Sequence, residues 1–273
     1  IPHQLTLTAT PIPRTMAMSV YANMDISIID ELPPGRLPIQ TTSLGMKKKD
    51  QLIGRIKEAC LNGSQVYWVC ALIEESELMN ANPVEETYEQ IIKQIPSIEC
   101  SFLHGKMKSD EKLNTINKFK NGETQIMVST TVIEVGVDVP DADIMIIENA
   151  ERFGLAQLHQ LRGRIGRGKK QSHCILLHNE SIGDIAYQRM DILKESTDGF
   201  FIAEKDLIIR GPGEIMGSQQ TGVIPFKYTD LMRDSSFLEE TKVIAEKIYK
   251  EDKVNSNKLI QRWLSGSIEF ADA

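Results

Sequence analysis

The middle of the chain alternates short β-branched runs with longer segments in which apolar residues recur at helical spacing. Strands are predicted at Ile39 to Leu44, Gln65 to Ile73, Glu99 to Leu103, Gln125 to Ser129, Ile144 to Glu148 and His173 to Leu177. Between the first two, Lys47 to Asn62 brings Leu52, Ile53, Ile56, Ala59 and Cys60 onto one helical face, and Asn62-Gly63 stops it. Asp110 to Lys120 repeats the device with Leu113, Ile116 and Phe119, Ser109 as its N-cap and Asn121-Gly122 as its end. Strand and helix in regular alternation predict an α/β fold, a parallel sheet with helices on both faces.

That rhythm stops near Ser181, after which the pattern predicts a mainly helical region. It has a helix near Ile182 to Glu195, a glycine-rich loop from Arg210 to Gly222, and helices near Tyr228 to Lys250 and Lys258 to Leu264. At the start, Leu5 to Thr8 reads as a buried strand with nothing before it, so the chain is expected to be a fragment. Asp30-Glu-Leu-Pro-Pro-Gly-Arg36 is a stiff, proline-fixed connector. The expected organisation is therefore an orphaned tail of a first lobe over 1–25, a second lobe over 26–180, and a helical region over 181–273.

Composition adds little until it is read locally. At 41% hydrophobic and 25% charged, 273 residues make an ordinary globular chain, and no apolar run reaches the length of a membrane helix, so no membrane partner and a cytoplasmic location are expected. Cys60, Cys70, Cys100 and Cys174 have neither metal-pair spacing nor disulfide density and read as core thiols. No metal-ligand cluster is read. The net charge of −7 argues against a uniformly basic surface, yet Arg152, Arg162, Arg164, Arg167, Lys169 and Lys170 fall in a stretch without an acidic residue. Polyanion contact is expected there. The run Lys47 to Lys49 reads as a solvated face, and Trp68 as core packing.

Two stretches carry chemistry. Gln160-Leu-Arg-Gly-Arg-Ile-Gly-Arg167 spaces three guanidinium groups between glycines and is expected to aim them to one side of a helix and its end. Guanidinium is always charged and forks onto phosphate oxygens, which suits charge developing on a transferring phosphoryl group. Upstream, Ser129-Thr-Thr-Val-Ile-Glu-Val-Gly-Val-Asp-Val-Pro140 carries hydroxyls at a strand's carboxyl end, where open α/β sheets bind ligands, followed by glycine and the carboxylate of Asp138.

With Thr8-Ala-Thr10 and Val66 to Ile73, these stretches resemble in order and spacing the later motifs of the superfamily two helicases. Thr8-Ala-Thr-Pro-Ile-Pro-Arg-Thr15, Ile28-Ile-Asp-Glu-Leu-Pro-Pro-Gly-Arg36 and Asp206-Leu-Ile-Ile-Arg-Gly-Pro-Gly-Glu214 narrow the resemblance to the bacterial helicases of that superfamily that act on branched DNA. The resemblance implies a second RecA-like motor lobe, followed by an element that couples nucleotide state to movement along duplex DNA. It implies Arg164 and Arg167 as arginine fingers on ATP, ordered by Gln160, with Gly136 and Asp138 also at the nucleotide. His104, Gly105, Ser129, Thr130 and Thr131 would meet the nucleic-acid backbone. Coupling would fall to Thr8, Thr10, Arg210, Gly211, Gly213 and Gln220, with Gln219 standing where many members carry a basic residue.

The sequence contains no G-x-x-x-x-G-K-[ST] loop and no D-E-x-H or D-E-x-Q motif. ATP with Mg²⁺ would accordingly be gripped mainly by a first lobe outside this chain, and the chain alone is expected not to hydrolyse ATP. The expected partners are branched double-stranded DNA, that first lobe and an upstream wedge domain. Two other functions compete: a transcription-repair coupling translocase, and a non-catalytic scaffold binding DNA or protein.

Overall fold

A computed structural model describes residues 5, 7, 27, 29, 31, 35–71, 83–130, 139, 142–168, 170–210, 234 and 237–264. Of Arg210, Leu238, Glu239, Trp263 and Leu264 only the backbone is described. The strand expected at Leu5 to Thr8 falls largely outside these residues; Leu5 and Leu7 themselves are exposed, not buried.

The described residues between 29 and 202 form one compact unit. Its six strands are β1 (Gln40–Gly45), β2 (Gln65–Cys70), β3 (Cys100–Leu103), β4 (Ile126–Ser129), β5 (Ala142–Glu148) and β6 (His173–His178). All pair in parallel, in the order β1-β6-β5-β2-β4-β3, so the α/β expectation holds. Every residue of the central strands β2 and β5 is buried, whereas β1 and β3 at the edges are partly exposed. This is why Val66 to Cys70 and Ile144 to Ile147 read as continuous apolar runs: a parallel strand covered on both faces has no polar side.

The helices of this unit are α1 (Lys49–Leu61), α2 (Pro83–Gln94), α3 (Ser109–Lys120), α4 (Leu155–Arg162) and α5 (Asp184–Glu195). α1 buries Leu52, Ile53, Ile56 and Cys60 in the core cluster around Val66, Trp68 and Ile146. It ends as its sequence demands. Gly63 turns left-handed at φ +80°, its N–H reaches Cys60 O at 2.9 Å, and Ser64 N reaches Ala59 O at 3.0 Å. α3 closes identically through Gly122 at φ +75°, with Gly122 N on Phe119 O and Glu123 N on Lys118 O. Its start differs from expectation: Lys108 occupies the cap with extended backbone, and Ser109 is already helical, making no side-chain cap.

β2 stops at Cys70, and Leu72 and Ile73 lie outside the described residues. α2 comes in addition to the helices expected from the pattern, as does α6 (Gly199–Arg210), which stands where the chain passes into its second unit. That unit contains α7 (Leu238–Glu251) and α8 (Lys253–Leu264), separated by Asp252, whose carboxylate accepts from Asn255 N at 3.1 Å and Asn255 Nδ2 at 2.7 Å. The helix expected near Tyr228 begins at Leu238 within the described residues, and the glycine-rich loop lies outside them. Among the described residues no helix is long and apolar enough to cross a membrane.

Candidate functional site

Parallel pairing puts all amino ends of the strands on one edge of the sheet and all carboxyl ends on the other. Six residues at about 3.3 Å each separate the two edges by roughly 20 Å. Those of the residues singled out by sequence that are described divide between them.

At the amino edge lies the arginine-rich stretch. α4 delivers it: Gln157 Oε1 accepts from Gly154 N at 3.0 Å to start the helix, and Leu155, Leu158 and Leu161 are buried to fix its face. Past Gly163 the chain turns through Arg164 and fully buried Ile165 to Gly166, which takes φ +77°. A Cβ on Gly166 would come 3.0 Å from Ile39 Cγ1, so the left-handed turn packs hard against the residue that leads into β1. Ser172, on the far side of the loop, accepts from Gln40 N at 2.9 Å through its carbonyl, placing the whole turn at the amino ends of β1 and β6.

The three guanidinium groups do not share one side, as expected from their spacing. Arg162 is only 2% exposed. Its Nη1 donates to Leu193 O at 2.6 Å, Ser196 O at 2.9 Å and Thr41 Oγ1 at 3.3 Å. Leu193 and Ser196 sit at the end of α5, where helix carbonyls lack backbone partners and a cation is favoured. Arg162 thus ties α4 to β1 and α5, and belongs to the fold. Its Nη2 lies 3.0 Å from His159 Nδ1. Guanidinium only donates, so Nδ1 accepts and the neutral ring carries its proton on Nε2. Burial, reinforced by Arg162 and opposed by Asp198, pushes His159 down to about 4. By contrast Arg167 is exposed, Arg164 half-buried, and Gln160 exposed near the end of α4.

At the carboxyl edge β3 and β4 end side by side, Leu103 in register with Ser129, and Thr130 N donates to Leu103 O at 3.3 Å. Ser129 Oγ, Thr130 Oγ1 and His104 Nδ1 are buried here with no hydrogen-bond partner among the described residues. Three unsatisfied polar atoms at adjoining strand ends are unusual, since buried polar groups are nearly always paired. His104 stacks on Phe102 with ring centroids 5.8 Å apart, and its Nε2 lies 3.5 Å from Glu85 Oε1. Gly105 is exposed, its carbonyl held by Lys112 Nζ at 2.7 Å.

Thr8, Thr10, Thr131, Gly136, Asp138, Gly211, Gly213, Gln219 and Gln220 lie outside the described residues, and Arg210 ends α6 with only its backbone described.

A third cluster was not foreseen. Lys49 is not on a solvated face: its Nζ lies 2.7 Å from Glu148 Oε1 and 5.6 Å from the centre of the Trp68 ring. Trp68 Nε1 and Thr87 Oγ1 donate to the other carboxylate oxygen at 2.7 and 3.3 Å. This brace joins α1, α2, β2 and β5. The only sequence signal for it is a glutamate closing the apolar strand Ala142–Glu148 beside a strand that carries tryptophan. The cysteines are free thiols; burial, aided by Asp143 at Cys60 and by Glu148 at Cys70, pushes each up to about 12.

Residues 47–169 match the helicase conserved C-terminal domain, and residues 196–263 match the C-terminal part of domain 3 of ATP-dependent DNA helicase RecG. The chain is 50% identical over all of its 273 residues to ATP-dependent DNA helicase RecG of Escherichia coli strain K12, covering 39% of that protein. It is 51% identical over 265 residues to that of Pasteurella multocida, which amounts to 97% of this chain and 38% of the relative. A solved structure of RecG bound to a three-way DNA junction superposes with a TM-score of 0.66 at 42% identity, covering 85% of this chain and 30% of that one. The chain therefore spans about two fifths of the length of these curated relatives.

Proposed function

Since the chain belongs to the RecG family of ATP-dependent DNA helicases, we propose that it supplies the second motor lobe and coupling region of a translocase that runs on duplex DNA and remodels branched structures such as stalled forks and four-way junctions. The observation that carries this reading is the sorting of the arginines. Arg162 is spent on the fold, while Arg164 and Arg167 flank a left-handed glycine on a tightly packed turn. A turn held from below, with guanidinium groups on both sides, suits the neutralisation of charge spreading over a transferring γ-phosphoryl group.

ATP with Mg²⁺ is held mainly by the first lobe, which lies outside this sequence, as does the wedge domain that meets the branch. Mg²⁺ stabilises charge on the phosphates when bound; the residues here add the two arginines, with Gly136 and Asp138 at the nucleotide. Gln160 orders the arginines from the last turn of α4. At the other edge the DNA backbone passes exposed Gly105, whose N–H can donate to a phosphate oxygen, with the buried polar atoms of His104, Ser129 and Thr130 behind it; Thr131 is assigned to the same contact. The segment from Arg210 through Gly211, Gly213 and Gln220, with Thr8 and Thr10, couples the two events. The roughly 20 Å of sheet between the edges keeps nucleotide and DNA apart while linking them through rigid strands. The place of action is the cytoplasm.

ATP hydrolysis by the full-length protein, on forked or four-way DNA against linear duplex of equal length, tests the reading. Stronger stimulation by the branched DNA is expected. Equal stimulation would shift the assignment to a transcription-repair coupling translocase, and no hydrolysis on either DNA to a non-catalytic scaffold.

A further inference from the structure

Arg36 is the last residue of the Asp30 to Arg36 connector, and its guanidinium donates from Nε to Gly166 O at 2.9 Å and from Nη2 to Ile165 O at 3.3 Å. The two carbonyls it holds lie between Arg164 and Arg167. We propose that Arg36 is a positioning residue for the arginine-bearing turn: by clamping the backbone between the two phosphate-directed guanidinium groups, it sets their separation and aim. This rests on the assignment of Arg164 and Arg167 to the nucleotide.

Three observations separate this role from that of an ordinary staple. First, the seam between the residues entering β1 and those entering β6 is already closed without Arg36. Gln40 N donates to Ser172 O at 2.9 Å, Gln171 Nε2 donates to Pro38 O at 2.7 Å, and Ile39 packs on Gly166. Register and edge therefore do not need a guanidinium, and its two hydrogen bonds act on the turn alone.

Second, the donor is itself a cation joining a basic stretch. The turn carries Arg164 and Arg167 in a sequence stretch with Lys169 and Lys170 and no acidic residue, and Arg36 sets a further guanidinium against its backbone. Stability alone would be served by a neutral donor. A cation placed here also raises the positive potential at the turn, which favours a polyanion.

Third, the geometry demands a fork. Two successive carbonyls past a helix end, presented by a glycine at φ +77° and a buried isoleucine, are met together by the planar N–H groups of one arginine. A lysine ammonium has three donors around a single point and holds one of the two. The clamp also joins the connector to the turn by direct contact, so the chain segment that leads into this lobe and the residues that meet the phosphates share one backbone.

The test is steady-state ATP turnover of the full-length protein on saturating branched DNA, for Arg36→Ala, Arg36→Lys, Arg167→Ala and the Arg36→Ala/Arg167→Ala pair, with the thermal midpoint of each. Loss of aim alone is expected to lower kcat of Arg36→Ala by about tenfold or more while KM for ATP stays within about twofold. Arg36→Lys recovers only part of the loss. In the Arg167→Ala background the Arg36 change lowers kcat by clearly less than it does in the wild type, because one of the two groups it aims is gone and only Arg164 remains. Wild-type kcat in Arg36→Ala or Arg36→Lys, or a loss that multiplies in full with that of Arg167→Ala, overturns the proposal while leaving the nucleotide assignment standing. Wild-type turnover in Arg167→Ala overturns that assignment first, and the proposal with it. Should Arg36→Ala not fold, Arg36→Lys decides, since it retains the charge and the aliphatic stem.

Discussion

Trp68 donates its indole N–H to Glu148 across 2.7 Å, from one central strand to its neighbour, with both side chains sealed from solvent. Glu148→Ala strips the acceptor from Trp68, Thr87 and Lys49 together and leaves the half-buried ammonium with only the Thr87 hydroxyl, which is expected to cost about 3 kcal/mol. Trp68→Phe removes one donor and leaves the carboxylate with Lys49, Thr87 and the weak Cys70 thiol, for about 1–2 kcal/mol. Urea unfolding curves of the two variants should rank in that order; equal midpoints would show that the brace does not act as a unit.

The arginines should separate by what their loss affects. Arg162→Ala removes the cation from the end of α5 and strands Leu193 O and Ser196 O, lowering stability by about 2–4 kcal/mol. Arg167→Ala, on an exposed side chain, is expected to leave the unfolding midpoint within about 0.5 kcal/mol of wild type. In the full-length protein it should lower DNA-stimulated ATP turnover by well over tenfold with DNA affinity nearly unchanged. Unfolding and turnover measured on the same two variants give opposite rankings if the sorting is right.

How much of this was legible in the sequence depends on how local each signal is. The Asn-Gly ends of α1 and α3 could be read because a left-handed residue after a helix needs glycine and nothing else. The central strands were legible because burial on both faces leaves an unbroken apolar run. α2 was not, since its buried face is Val84, Thr87 and Ile91, a stripe with a hydroxyl in the middle. Lys49 looked like a surface lysine because its partner Glu148 stands 99 residues away. The spacing of Arg162, Arg164 and Arg167 suggested one function for all three, and only the packing of α5 on α4 reveals that the first has another. Arg36 gave no signal beyond its place in a proline-fixed connector, since its acceptors are backbone carbonyls 129 and 130 residues on.

His159 should make the fold sensitive to mild acid. The unfolded chain takes up a proton near the ordinary histidine value of about 6.5. The folded ring, half-buried and facing Arg162, resists until about 4. In that window the unfolded state binds more protons, so stability falls as the pH drops from 6.5 towards 4 and is fully restored above it. His159→Asn, which retains an acceptor for Arg162, should flatten the slope between pH 6.5 and 5, where carboxylates contribute little. An unchanged slope would place the titrating group elsewhere.

The four thiols should be inert in the folded protein. With each pushed up to about 12, the thiolate fraction at pH 8 is on the order of one in ten thousand. A thiol reagent followed by peptide mass spectrometry should leave Cys60, Cys70, Cys100 and Cys174 unlabelled in buffer and label all four in denaturant. Fast labelling of Cys60, Cys70 or Cys174 before unfolding would contradict its burial; Cys100, half-buried, is held unreactive by its raised value alone.

Among the described residues β1 has one strand partner, β6, with Gln40 against His173, a separation of 133 residues. On a ribosome adding about 5–20 residues per second, Gln40 waits on the order of ten seconds or more for that partner to be made. The segment Gln40–Gly45 must stay unpaired throughout, its edge open to any other extended chain. Arg162 meets its α5 carbonyls only after residue 196 has followed. The sheet and its arginine turn are thus completed late and together, so a nascent chain halted before His178 would hold a four-stranded core with neither.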